Sequence, residues 1–182
     1  MSAQKVSFEA TPNPATLKFL LQQKVTDEGF ECATPAEAER SPLAAKIFGF
    51  PWTASVFVGT DFITVTKQDW VDWEVLAQPL ANLIQEHMQN NEPVVVTVLA
   101  NEEDENDSPL VKEIKKVLNR EIRPVVAMDG GDIVFHKFEA GKLYIHMKGA
   151  CAGCPSSTAT LKEGIEVRMR ELFSEVEEVL SV

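Results

Sequence analysis

Between Asn101 and Asp107 the chain reads Asn-Glu-Glu-Asp-Glu-Asn-Asp, five acids in seven residues with no apolar side chain. Such a run cannot enter a core, so it is expected as a solvated tether repelled into extension. A two-domain chain with its boundary there is the natural division. The 182 residues divide into an N-terminal domain over 1–100, an acidic linker over 101–108 and a C-terminal domain over 109–182. From Ser108 onward eleven basic residues balance eleven acidic ones, so the net charge of −11 resides in the part before it. With no basic stripe, the chain is not expected to grip nucleic acid through its phosphates. No apolar run approaches the roughly 20 residues of a membrane span, and Met1–Ala10 is neither apolar nor Arg-rich, which predicts a soluble intracellular protein with no membrane contact. Three cysteines, unevenly placed, fit a reducing compartment better than a disulfide framework.

Both halves read as α+β, a small β-sheet packed with helices in each. In the first, Lys5–Ala10 and Thr16–Val25 are predicted strands around Thr11-Pro12-Asn13-Pro14, with Leu17, Phe19 and Leu21 on one face. Ser55–Val58 and Phe62–Thr66 flank a Gly-containing hairpin loop. Ser41-Pro42 opens a short helix, and helical spacing runs from Asp69 to His87, where Pro79 predicts a kink or a fresh start. Pro93–Leu99 is a candidate last strand.

In the second half Ser108-Pro109 starts a helix with the stripe Leu110, Ile114, Val117, Leu118 and Ile122, expected to end before Pro124. Two strands follow, Asp132–Phe138 and Lys142–Lys148. A three-residue loop Glu139-Ala140-Gly141 puts Ile133 and Phe135 on one face with Ile145 and Met147, and His136 with His146 on the other. From Pro155 a helix is expected to bury Thr158, Leu161, Ile165, Met169 and Leu172, and Val176, Val179 and Val182 close the chain as a third strand.

Cys151-Ala152-Gly153-Cys154 places two thiols in a loop between strand and helix. The helix start at Pro155 favours thiolate at Cys154, and small intervening residues let both sulfurs face one metal. Metal centres of this kind take about four ligands, so one chain offers half a set and two copies face to face complete it. A dithiol–disulfide redox pair and a zinc-bridged interaction module use the same cysteines. The redox reading is disfavoured because such sites follow the strand of a βαβ pattern, whereas a hairpin precedes this one. Thiols that merely pack are the plainest alternative.

Arg123-Pro124, Asp129-Gly130-Gly131-Asp132-Ile133, Gly149-Ala150-Cys151-Ala152-Gly153-Cys154-Pro155-Ser156-Ser157 and Thr160–Glu166 together resemble the C-terminal domain of NifU-like (Nfu-type) iron–sulfur scaffold proteins. Thr11–Pro14, Leu17–Phe19, Ser41–Ala44 and Asp61–Lys67 resemble the N-terminal domain of Nfu proteins. The resemblance implies a 4Fe-4S cluster shared by Cys151 and Cys154 of two protomers in a homodimer. It also implies delivery to apo iron–sulfur proteins and an upstream assembly machinery as donor. No Ser-His-Asp or Cys-His constellation and no paired carboxylates stand out in the sequence, so no enzymatic activity is expected. Phe50-Pro51-Trp52 and Phe173–Val176 depart from the family pattern at two turns. The lack of a presequence before Lys5 is expected of a bacterial cytoplasm, a processed mitochondrial form being the other option.

Five further features carry weaker signals. Cys32 has no second thiol or histidine nearby and is not expected as a ligand. His136 and His146 permit a metal site, although solvent-facing strand histidines are commoner. Trp70 and Trp73 suit a docking surface, with packing on the sheet the favoured role for Trp73. Gly164 inside the last helix costs about 1 kcal/mol relative to Ala, which predicts a close packing contact. Asp129–Asp132 lacks the downstream Lys of a phosphate loop and reads as a tight turn.

Overall fold

The computed structural model describes residues 5–96, 107–152 and 155–182, with the backbone alone at 155–158. It separates into two compact units, Met1–Leu99 and Ala100–Val182, each an α+β assembly of one sheet and its helices. Residues 101–106 of the acidic run lie outside the described residues, while Asp107 at its end pairs with Lys115.

The first unit holds β1 (Ser7–Ala10), β2 (Thr16–Leu20), β3 (Phe30–Cys32), α1 (Pro42–Phe48), β4 (Thr53–Val58), β5 (Phe62–Lys67) and α2 (Trp73–Gln89). The sheet order is β1-β2-β5-β4-β3, antiparallel throughout. Leu17, Phe19 and Leu21 are buried as their alternation requires. Ser41 caps α1, its Oγ accepting from the Ala44 amide at 3.1 Å while donating to the Val94 carbonyl at 2.6 Å. One side chain thus ends a helix start and pins the segment after α2. That segment contains no strand over Pro93–Val96, and 97–99 lie outside the described residues. The helix α2 begins at Trp73 and runs through Pro79 as one element. The strand β3 was not expected: three residues are too few to show a period.

In the second unit the order is α3 (Pro109–Val117), a π-helical turn (Leu118–Ile122), α4 (Arg123–Met128), β6 (Gly131–Glu139), β7 (Lys142–Gly149), α5 (Pro155–Leu172) and β8 (Glu178–Ser181). Pro124 does not stop the helical path. The widened turn ends at Ile122, which leaves Pro124 in the first turn of α4, where a missing N–H is harmless. The hairpin between β6 and β7 turns through two residues, not three, with Ala140 at φ 50° and Gly141 at φ 77°. A bulge between Phe135 and Lys137 then absorbs the difference, so Ile133 faces Met147 and Phe135 faces Ile145 as expected. One sheet face packs Ile133, Leu143, Ile145, Met147 and Val179 against Ile114, Leu118, Val126, Ile165 and Met169 of the helices. Leu172 is 42% exposed, so the buried stripe of α5 ends at Met169.

The last strand, β8, pairs with β7 in parallel, Leu143 opposite Val179. Parallel neighbours need a crossover, here α5. The cysteine loop therefore sits inside a β7–α5–β8 unit, and the topological argument against a redox pair does not hold.

Candidate functional site

The site begins where β7 runs out. Gly149 pairs with Gly131 at the end of the ladder and takes φ 66°, a left-handed turn that aims the chain away from the strand direction. The next amide, Ala150 N–H, donates to the Gly130 carbonyl at 3.1 Å, and Ala152 N–H returns to the Gly149 carbonyl at 3.0 Å. Cys151 is thereby laid over the turn that joins α4 to β6.

The contact there is tight. A Cβ at Gly131 would overlap Cys151 Sγ and stand 2.8 Å from the Lys148 carbonyl and 3.0 Å from Cys151 Cβ. Only hydrogen at that position leaves room for the sulfur. Cys151 is 5% exposed and joins the apolar core of the unit, so the loop presents it inward rather than to solvent.

A clamp fixes the turn beneath. Arg123 Nε donates to Asp132 Oδ1 and Nη2 to Oδ2, both at 2.7 Å, a two-pronged pair that sets distance and plane together. Asp132 is buried, and its Oδ1 also accepts the Ile133 amide at 2.8 Å. Arg123 Nη1 reaches Asn119 Oδ1 at 3.2 Å, tying the clamp to the π-helical turn. The sequence marks Arg123 as part of the family resemblance and Asp132 as part of a tight turn. Their partnership was missed, although a base and an acid flanking Gly-Gly is the available signal.

Cys154, the second expected ligand, lies outside the described residues, as do Gly153 and the Thr158 side chain. Among the described residues no group of three or more His, Cys, Asp or Glu is arranged to hold a metal. Cys32 stands apart in the core of the first unit. Its Sγ donates to the Glu37 carbonyl at 3.5 Å, and burial pushes the thiol up to about 11, which keeps it protonated. His136 and His146 stand with ring centres 4.6 Å apart. Trp73 packs edge-on against Phe19 and Trp52, while Trp70 is 66% exposed. Gly164 meets nothing within 4 Å of an added Cβ, contrary to the close contact expected of it.

Family models match over residues 6–91, the N-terminal domain of the scaffold protein Nfu/NifU, and over residues 114–180, the NifU-like domain. The human mitochondrial NFU1 iron-sulfur cluster scaffold homolog is 38% identical over 97% of this chain and 71% of its own length. The counterpart in Drosophila sechellia is 36% identical over 97% of this chain and 64% of its own length, so the chain spans less than two thirds of that relative. NifU-like protein 5, mitochondrial, of Arabidopsis thaliana is 37% identical over 96% of this chain and 66% of its own length. A solution structure of a NifU-like protein from Saccharomyces cerevisiae aligns with TM-score 0.47 and 26% identity, over 54% of this chain and 92% of that one. The mitochondrial names of these relatives overturn the expectation of a bacterial cytoplasm. That expectation rested on the composition of the first ten residues, and of the described ones among them Val6 joins the core of the first unit.

Proposed function

Because the chain belongs to the Nfu family of NifU-like iron–sulfur cluster scaffold proteins, we propose that it accepts a 4Fe-4S cluster on Cys151 and Cys154 of two protomers and delivers it to apo-proteins. The observation that carries this reading is the clearance at Gly131: the turn under the loop is shaped around the Cys151 sulfur, with no side chain of its own. Two thiolates per chain are half of a cluster's usual ligand set, and a second copy supplies the rest.

Since Cys151 is turned inward, loading requires the loop to rotate the thiol out of the core and lose its proton. Delivery is then ligand exchange. A recipient thiol gives up its proton and bonds to iron, a Cys151 or Cys154 thiolate leaves the iron and takes up a proton, and no electron changes hands. The N-terminal unit, with Trp70 exposed just before α2 and Val75 exposed in its first turn, serves as the contact for recipient proteins, and the mitochondrial names of the relatives set the compartment in which they are sought.

A dithiol–disulfide role is the second reading, favoured by the strand–loop–helix–strand setting of the cysteines. Anaerobic reconstitution with iron and sulfide separates the two. The carrier reading expects a brown dimer with about four iron and four acid-labile sulfide per pair of chains, whereas a colourless monomer that reduces protein disulfides in its dithiol form establishes the redox role. A colourless dimer holding only zinc overturns both.

A further inference from the structure

We infer that His136 and His146 form a two-imidazole site for a divalent transition-metal ion, on the face of the C-terminal sheet opposite its core and distinct from the cysteine loop. Three observations lead there. The bulge between Phe135 and Lys137 makes His136 the extra residue of β6, beside the Val134–His146 pair. That brings the two rings to 4.6 Å between centres with planes inclined by 61°.

The spacing suits chelation. A metal–nitrogen bond of about 2.0–2.1 Å puts each ring centre about 3.2 Å from the ion, so two imidazoles about 90° apart on one metal have centres about 4.5 Å apart.

The second ring is also oriented. His146 Nδ1 lies 2.8 Å from the main-chain oxygen of Val182, and an oxygen of that kind only accepts. The proton is therefore on Nδ1, and Nε2 keeps the lone pair that binds metal. Hydrogen bonds of this type, from the remote nitrogen to a main-chain acceptor, are what hold ligating histidines in place. Nearby positive charge is compensated, since Lys137 Nζ bonds Glu139 at 2.8 Å and lies over the Tyr144 ring.

No third His, Cys, Asp or Glu joins the pair among the described residues, so water completes the coordination and the ion exchanges readily. Imidazole nitrogens suit copper, nickel and zinc, with Cu2+ bound tightest, whereas thiolates select softer centres. The two sites of the second unit thus differ in the metals they take.

The test uses the full chain carrying Cys151→Ser and Cys154→Ser, so that these thiols neither bind nor reduce copper. Its failure therefore leaves the cluster reading untouched. Cu2+ is titrated at neutral pH, followed by calorimetry and by electron paramagnetic resonance. The expected result is one Cu2+ per chain with hyperfine structure from two nitrogens. His136→Gln, at an exposed side chain, should weaken binding at least about tenfold, and adding His146→Gln should remove it. The assignment is clean because the third histidine of the chain, His87, is buried in the other unit. Unchanged affinity in the His136→Gln variant, or nitrogen coupling that survives the double replacement, overturns the site.

Discussion

Cys32 in the first unit and Cys151 in the second are both shielded from solvent, yet their backbones are held in opposite ways. Cys32 lies in a strand, paired across to Val56 of β4, and its neighbours are the side chains of a continuous apolar core. Moving its sulfur would mean breaking a sheet. Cys151 lies just past a strand end, in a loop where Ala150 bonds to Gly130 and Ala152 makes a short turn back to Gly149. Its sulfur is carried beyond the end of the ladder at Gly149, not by a paired strand residue. Burial alone does not separate a structural thiol from one proposed to hold a cluster; the setting of the backbone that carries it does.

The most severe way to break this comparison is to remove each sulfur in turn. Cys151→Ala should abolish visible colour and labile sulfide after anaerobic reconstitution, while Cys32→Ala should retain both in full. Equal losses in the two variants would show that the contrast in backbone setting has no bearing on cluster binding.

Next in size is the base beneath the loop. Arg123→Ala strands the buried Asp132 carboxylate, and breaking a buried pair from one side costs about 3–5 kcal/mol. The loss should fall on one unit alone. Trp52, Trp70 and Trp73, all three tryptophans of the chain, belong to the first unit, so their fluorescence should keep its urea midpoint while circular dichroism shows the second unit unfolding earlier. A matching shift in fluorescence would mean that the two units do not unfold independently.

A smaller and more local change is Gly131→Ala. Overpacking of this kind costs about 1–3 kcal/mol, but the overlap is with Cys151 Sγ itself. Cluster yield measured by sulfide content should therefore fall further than the stability of the unit, read by urea unfolding, accounts for. A yield that merely tracks stability would make Gly131 an ordinary packing residue.

What the sequence revealed of this site follows from the range of the forces involved. The inner face Ile133, Phe135, Ile145 and Met147 was legible because a period of two is a local property. The two-residue turn and the bulge at His136 were not, since two compensating shifts leave the pattern near the cysteines unaltered. The helix from Pro109 does end before Pro124, but α4 follows it without a break, because a π-helical turn with no sequence signature of its own places Pro124 in a new helix's first turn. The Arg123–Asp132 clamp joins residues on either side of a chain reversal, and no periodicity reports such a pair.

The contrast between the thiols also has a pH signature. Burial raises Cys32 from an ordinary value of 9.0 to about 11 in the folded unit. Below the unfolded value both states keep the proton and the full stability is present. As pH climbs from about 9 toward 11 the unfolded chain releases it first, so folding loses up to about 1.4 kcal/mol per pH unit. Tryptophan fluorescence should show this alkaline slope in the first unit, and Cys32→Ala should flatten it.

The least of the expected effects concerns Gly164, which sits in α5 with open space where a Cβ would stand. A mid-helix glycine with a helical backbone and no neighbour loses about 1 kcal/mol of helix propensity to Ala, and Gly164→Ala also narrows the unfolded ensemble. The variant should therefore be more stable than the parent by about 0.5–1 kcal/mol in the urea unfolding of the second unit. A methyl group in open space hinders nothing within a single chain. If the parent dimerises around a cluster and Gly164→Ala gains stability as a monomer but loses dimer, the glycine is there for the second copy's approach. If dimer and stability rise together, it serves neither packing nor assembly.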